Sequence, residues 1–121
     1  MESEVVSRGS WKTVEPEEGF VDFDYSDTFS VSEYEIMKLG LLPEAMEDKW
    51  FIYFEHPILF FHRSWTGDLI YRITLESTNE HITVARAELS RKYSDNPVHE
   101  KMMPWVMRGI LLRQDIEFPY A

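Results

Sequence analysis

Two arginines set among tryptophans carry the most suggestive chemistry in this chain. Arg63 and Arg72 stand near Trp50 and Trp65 in the sequence. A guanidinium clamps a carboxylate or phosphate through paired N–H donors, and an indole stacks on a flat ring or on the arginine itself. His62 and Ser64 stand two apart on one segment and raise a second idea, a nucleophile with its base. Such a pair needs hydrogen-bond contact, an orienting carboxylate and an oxyanion hole. Residues i and i+2 of a strand lie about 6–7 Å apart at the backbone, and no carboxylate falls opposite His62. The plainer reading of His62 is a packed core histidine bonded to Tyr71 or to backbone. Thr66 completes the polar set on this segment.

Other chemistries lack their spacing. The four histidines show no helical i, i+4 pair, and Glu44, Glu47 and Asp48 lack the pattern of a calcium loop. The five glycines are isolated, so no phosphate-cradling loop is expected. No cysteine is present, which removes disulfides, thiolate nucleophiles and Cys-based zinc sites. The expectation is a protein without metal or cofactor, and more a binder than an enzyme.

The elements that would position these residues follow from pattern. Ser30 and Glu33 form a capping box, Val31, Tyr34, Met37 and Leu41 share a helical stripe, and Gly40 and Pro43 stop it. This predicts a short helix over 30–40. Four segments rich in aromatic and β-branched residues follow, over 50–55, 58–64, 69–76 and 82–88. Short links between them predict a four-stranded antiparallel meander spanning 49–89. Asn96-Pro97 opens a C-terminal helix over 96–113, with Val98, Met102, Val106 and Ile110 as its apolar stripe. Pro104 should kink it or start it afresh. Met102, Met103 and Met107 suit either core filling or an adaptable surface. The segment 11–25 reads as a short strand or as an extended arm on the core, residues 1–10 as a frayed end, and 118–121 stay unassigned. The fold class is α+β in a single domain over 1–121, with the C-terminal helix on one face of the sheet.

Two-residue turns at His56-Pro57 and Thr66-Gly67 would fix the register. Trp50 then faces Arg63, Ile52 faces Phe61, and His62 faces Tyr71. One face collects Phe51, Tyr53, Phe60, His62, Leu69, Tyr71, Ile73, Leu75, Ile82 and Val84, and the C-terminal helix should cover it. The other collects Trp50, Ile52, Phe54, Phe61, Arg63, Trp65, Ile70, Arg72, Thr74, Thr83 and Ala85. Both arginines would then lie together on one face. They serve either a ligand or the neutralisation of an acidic arm carrying Asp22, Asp24 and Asp27.

Charge is lopsided. The chain has 22 acidic and 12 basic residues, a net charge of −10. Residues 1–57 hold 14 of the acids and 4 of the bases, so the excess belongs entirely to that half. This argues against a nucleic-acid partner, whose phosphates need clustered Lys and Arg. It suits a basic protein partner, steered by Glu15, Glu17, Glu18, Asp22, Asp24 and Asp27. Ordinary solubility explains the same excess. Residues 1–10 show no basic head followed by an apolar run, and no stretch reaches the roughly 20 apolar residues of a membrane span. A cytoplasmic location without membrane contact is the expectation, and an aromatic sheet also suits a homodimer interface.

The stretch Met46-Glu-Asp-Lys-Trp-Phe-Ile-Tyr-Phe-Glu55, with Leu59-Phe-Phe-His-Arg-Ser-Trp-Thr-Gly67 and Ile70-Tyr71, resembles a small bacterial family of unknown function. That family is associated with proteins of ADP-ribose chemistry, such as macro-domain and ADP-ribosylglycohydrolase proteins. The resemblance covers residues 46–71 and brings no catalytic motif of either enzyme. It implies site roles for Trp50, His62, Arg63, Ser64, Trp65 and Thr66. The leading expectation is a non-catalytic acidic binding protein, such as an immunity or antitoxin-like inhibitor of a basic enzyme. The alternative is a module for a nucleotide-like or ADP-ribose-related ligand using Trp50, Arg63, Trp65 and Arg72. A small hydrolase using His62 and Ser64 is the third.

Overall fold

The computed structural model describes residues 5–117. The elements run β1 (Phe20–Asp22), β2 (Thr28–Phe29), α1 (Val31–Leu39), β3 (Trp50–Glu55), β4 (Ile58–Arg63), β5 (Leu69–Thr78), β6 (His81–Ser90) and α2 (Val98–Trp105). A π-helical turn, Val106–Leu111, continues α2. The class is α+β with an antiparallel sheet. The sheet has six strands rather than four, in the order β1-β6-β5-β4-β3, with β2 also on β6. The two extra strands come from the acidic segment. Phe20–Asp22 pairs with Glu88–Ser90, and Thr28–Phe29 pairs with Ile82–Thr83, so both cover the outer edge of β6.

The expected helix 30–40 is α1. The Ser30 hydroxyl accepts from the Glu33 N–H at 3.1 Å, and the Glu33 carboxylate accepts from the Ser30 N–H at 2.8 Å. Gly40 ends it at φ 76, where a Cβ would meet the Ile52 carbonyl oxygen at 2.5 Å. Only glycine suits both conditions. Of the expected stripe only Met37 is fully buried; Val31 is exposed.

The β3–β4 register agrees with the counted one, Trp50 facing Arg63 and Ile52 facing Phe61. The β4–β5 register does not. The turn has four residues, Ser64–Gly67, because the Arg63 N–H bonds the Asp68 carbonyl and the Gly67 N–H bonds the Arg63 carbonyl. Gly67 takes φ 82, which favours glycine, and its carbonyl bonds the His62 ring at 2.8 Å. His62 therefore faces Leu69, the register breaks, and Phe61 faces Tyr71. Ile70 is the extra residue of a β-bulge. A shift of one residue reverses every side chain beyond it.

The expected faces are corrected accordingly. Trp50, Ile52, Phe61, Tyr71, Ile73, Leu75, Ile82 and Leu89 share one cluster with Met103, Val106, Met107 and Leu111, so α2 and its continuation cover this side. Phe51, Tyr53, Phe60 and Leu69 form a second cluster, packed against Val6 and Phe20. Arg8 lies 5.3 Å from the Tyr53 and Phe60 ring centres and pairs with Glu55. Val14 bridges Asp68 in parallel. The segment after Val5 thus lies against the sheet's second side; residues 1–4 and 118–121 fall outside the described residues.

The C-terminal helix opens close to its expected start, with the Asn96 side chain accepting from the Val98 N–H at 3.0 Å. It runs through Pro104, and the ladder then widens, with the Leu112 N–H reaching back to the Met107 carbonyl. Proline's missing N–H loosens the turn and the wider spacing absorbs it.

Arg108 ties this continuation to the acidic segment. It donates to both Asp27 oxygens at 3.0 and 2.7 Å, to Glu33 at 3.0 Å and to the Thr28 carbonyl at 3.0 Å. Its guanidinium lies 4.8 Å from the Phe29 ring centre. Burial pushes the Asp27 carboxyl upward, but the Arg108 and Thr28 hydrogen bonds outweigh it and hold it below the ordinary value. Arg108→Ala leaves two half-buried carboxylates without their cation. It should lower the unfolding free energy by about 3 kcal/mol, read from urea denaturation. A change under about 0.5 kcal/mol would show the network to be ornamental.

Candidate functional site

The loop after α1 and the turn between β4 and β5 hold each other. Asp48 accepts from the Glu44 and Ala45 N–H groups, closing residues 44–48 into a loop. From the turn, the Ser64 hydroxyl donates to the Asp48 carbonyl at 2.7 Å, and the Trp65 indole N–H donates to the Met46 carbonyl at 2.9 Å. The Trp11 indole N–H donates to the Ser64 carbonyl at 2.7 Å. Two concave surfaces flank this bracket, and Glu44 borders both.

The first is a cleft between residues 41–50 and the C-terminal helix, lined by Trp50, Arg63, Lys49, Trp105 and Arg113 among others. The Arg63 guanidinium lies 5.7 Å from the Trp50 ring centre. Among the described residues, Arg63 makes no ion pair. The second is a groove of about 450 Å³ lined by Trp11, Lys12, Met46 and Trp65 among others. Here Trp65 is 61% and Met46 76% exposed. Both stay open although the Trp65 N–H is bonded, so an apolar ring is displayed in a fixed orientation.

The sequence-derived residues divide. Trp50 and Arg63 come together as expected from their strand pairing. Arg72 does not join them. The bulge places it on the other side, where it pairs with buried Glu88 at 2.8 Å and lies 3.8 Å from the Phe20 ring centre. The expected pairing of Arg63 and Arg72 with the acidic arm is corrected too: Asp22 pairs with Arg86, and Asp27 with Arg108. Trp65 and Thr66 sit on the turn, with the Thr66 hydroxyl accepting from the Asp68 N–H.

His62 and Ser64 are both buried and bonded elsewhere. His62 Nδ1 bonds the Gly67 carbonyl, and Nε2 lies 3.3 Å from the Tyr53 hydroxyl rather than near Tyr71. A carbonyl can only accept, so Nδ1 carries the proton and Nε2 accepts from Tyr53. Ser64 spends its proton on the Asp48 carbonyl. The geometry does not couple the two. Among the described residues, no three His, Asp or Glu side chains gather as a metal site, and no helix is long and apolar enough to cross a membrane.

Lys49, Trp105 and Arg113 were missed in the cleft, and Trp11 and Met46 in the groove. Lys49 and Met46 adjoin residues already singled out, which was the available signal. Trp11, Trp105 and Arg113 arrive only through tertiary packing.

Of the docking acids, Glu15, Glu17, Glu18 and Asp24 are exposed and make no ion pair among the described residues. Asp22 is exposed beside Arg86, while Asp27 is half-buried under Arg108.

The chain matches no family model, no curated protein and no solved structure.

Burial lowers the pKa of His62 below the ordinary histidine value, against the opposing pull of the Gly67 carbonyl. The unfolded chain then binds a proton that the native state refuses, so stability falls as pH drops through the ordinary value near 6.5. His62→Gln keeps a donor for Gly67 and cannot titrate. Between pH 7.5 and 5.5 the wild type should lose about 1 kcal/mol more than this variant in urea unfolding. Parallel losses in both would show that His62 titrates normally.

Proposed function

We propose that this protein is a non-catalytic binding protein that docks on a basic protein surface through Trp65, Met46 and Trp11. The observation that carries this reading is the exposed Trp65 ring, held in place by its bond to the Met46 carbonyl. An aromatic anchor whose polar atom is already satisfied loses little freedom on binding, and such anchors dominate interface energetics. The partner's charge follows from what surrounds it. Glu44 borders the groove, and Glu15, Glu17 and Glu18 follow Trp11 along the chain, their carboxylates making no ion pair among the described residues. Among the described residues, Lys12 is the one opposing charge lining the groove. In its most specific form the reading is an inhibitor of a basic enzyme, of the immunity or antitoxin kind.

The test is capture of partners by the immobilised protein, with each retained protein identified and its charge determined. A basic protein should be held at low salt, released as salt rises, and lost with Trp65→Ala. Removing an anchor of this type should weaken binding by about 2 kcal/mol, some thirtyfold, while the variant's own unfolding midpoint stays close to wild type. Retention that ignores salt, or that survives Trp65→Ala, would sink the reading. A concentration-dependent dimer abolished by Trp65→Ala would instead assign the patch to self-association.

A further inference from the structure

The cleft beside Trp50 has a volume of about 730 Å³. Small-molecule sites occupy roughly 300–1,000 Å³. Three cations line it: Arg63 from β4, Lys49 from the segment before β3, and Arg113 from beyond the π-helical turn. None makes an ion pair among the described residues. In a chain with 22 acidic and 12 basic residues, chance neutralisation would claim such cations first. Arg8, Lys38, Arg72, Arg86, Lys92 and Arg108 are claimed in this way, and among the described residues Lys12, Arg91 and Lys101 also make no ion pair, so it is the gathering of three such cations on one cleft that sets these apart.

The acids of the cleft do not undo this. Asp48 is committed to the Glu44 and Ala45 N–H groups. Glu44 and Glu47 are exposed, as Lys49 and Arg113 are, so solvent screens these four charges alike, and Arg63, half-buried against Trp50, is the cation the cleft offers at full strength. A flat wall completes the site, the half-buried Trp105. A Cβ on Gly109 would lie 3.0 Å from the Trp105 indole nitrogen and 3.1 Å from Cδ1, so the missing side chain lets that ring lie against bare backbone.

We infer that this cleft binds a small anion carrying a flat aromatic ring, of the nucleoside-phosphate class. Arg63, held against the buried Trp50 ring, clamps the phosphate, with Lys49 and Arg113 adding charge at the mouth, and the base lies against the half-buried Trp105 indole. Arg72 has no part in it. The site is separate from the Trp65 groove, so either one stands without the other.

The probes are adenosine monophosphate, adenosine and inorganic phosphate, followed by calorimetric titration and thermal unfolding of the full chain. Adenosine monophosphate should raise the unfolding midpoint with concentration, because a ligand of the native state alone must do so. Adenosine and phosphate should each bind at least about tenfold more weakly. Arg63→Gln should weaken the nucleotide about tenfold or more, Arg63→Lys less, because it keeps charge but loses the fork. Gly109→Ala should weaken it by displacing Trp105. No midpoint rise with adenosine monophosphate overturns the inference, as does equal affinity for adenosine or an unchanged affinity in Arg63→Gln. Should Arg63→Gln fail to fold, Lys49→Gln and Arg113→Gln alter exposed side chains, and wild-type affinity in both overturns it equally.

Discussion

The break in register between Phe61 and His62 is the constraint on which this structure turns. Strand side chains alternate, so a single extra residue decides which face every later side chain of β5 occupies. With Ile70 inserted, Tyr71 crosses to the helical face, where it stacks on Trp50 and meets Phe61 edge-on. The same step sends Arg72 to the opposite face, against Glu88. Without the bulge, Arg63 and Arg72 would be neighbours on one face, two like charges beside a buried aromatic cluster, and buried Glu88 would keep only its longer contact to Arg86 at 3.5 Å. The bulge thus separates the two arginines by function: one neutralises a buried acid, and the other is left for the cleft.

Charge follows a similar division of labour. The excess acid of the N-terminal half looks uniform in the sequence, but the fold uses its members differently. Asp27 and Glu33 meet on Arg108, which reaches them from the far end of the chain. Asp22 meets Arg86 across the sheet edge, and Glu55 meets Arg8. Each pair joins segments distant in sequence; Arg86 and Arg108 come from the C-terminal half, so part of the acidity is the counterpart of that half's cations, while Glu55 is met within its own half. Among the described residues of that half, Glu15, Glu17, Glu18, Asp24, Glu44 and Glu47 are exposed without an ion pair and remain for a partner. The two parts differ in reach: an exposed ion pair adds little stability, while an unpaired exposed carboxylate contributes fully to long-range steering.

How much of this was legible depended on how local each feature is. The capping box of α1 and the β3–β4 pairing are set by neighbours in sequence, and both were readable, as was the Trp50–Arg63 contact that follows from that pairing. The four-residue turn was not, because it is fixed by the side-chain bond between His62 and the Gly67 carbonyl, which no spacing rule announces. The edge strands Phe20–Asp22 and Thr28–Phe29 are too short to show a period of two. The π-helical turn keeps an apolar sequence that a regular helix would also use, and only Pro104 marked the place. Likewise, an acid's residue type says nothing of whether an arginine some eighty positions away will claim it, as Arg108 claims Asp27.

The stretch His62–Gly67 drew attention as candidate chemistry, and the structure gives it a different task. Its hydroxyl, its indole N–H and its backbone carbonyl are all spent on neighbours: Ser64 on Asp48, Trp65 on Met46, and the Ser64 carbonyl on Trp11. A group whose hydrogen-bonding capacity is used in this way has little left for a reacting atom, but it fixes what it touches. Here it fixes the 44–48 loop, which walls the cleft on one side and the groove on the other. Polar residues gathered in a turn are as often a bracket as a catalyst, and the direction of their hydrogen bonds decides between the two. In this turn they point into the protein, and what they leave outward is an apolar ring and a guanidinium.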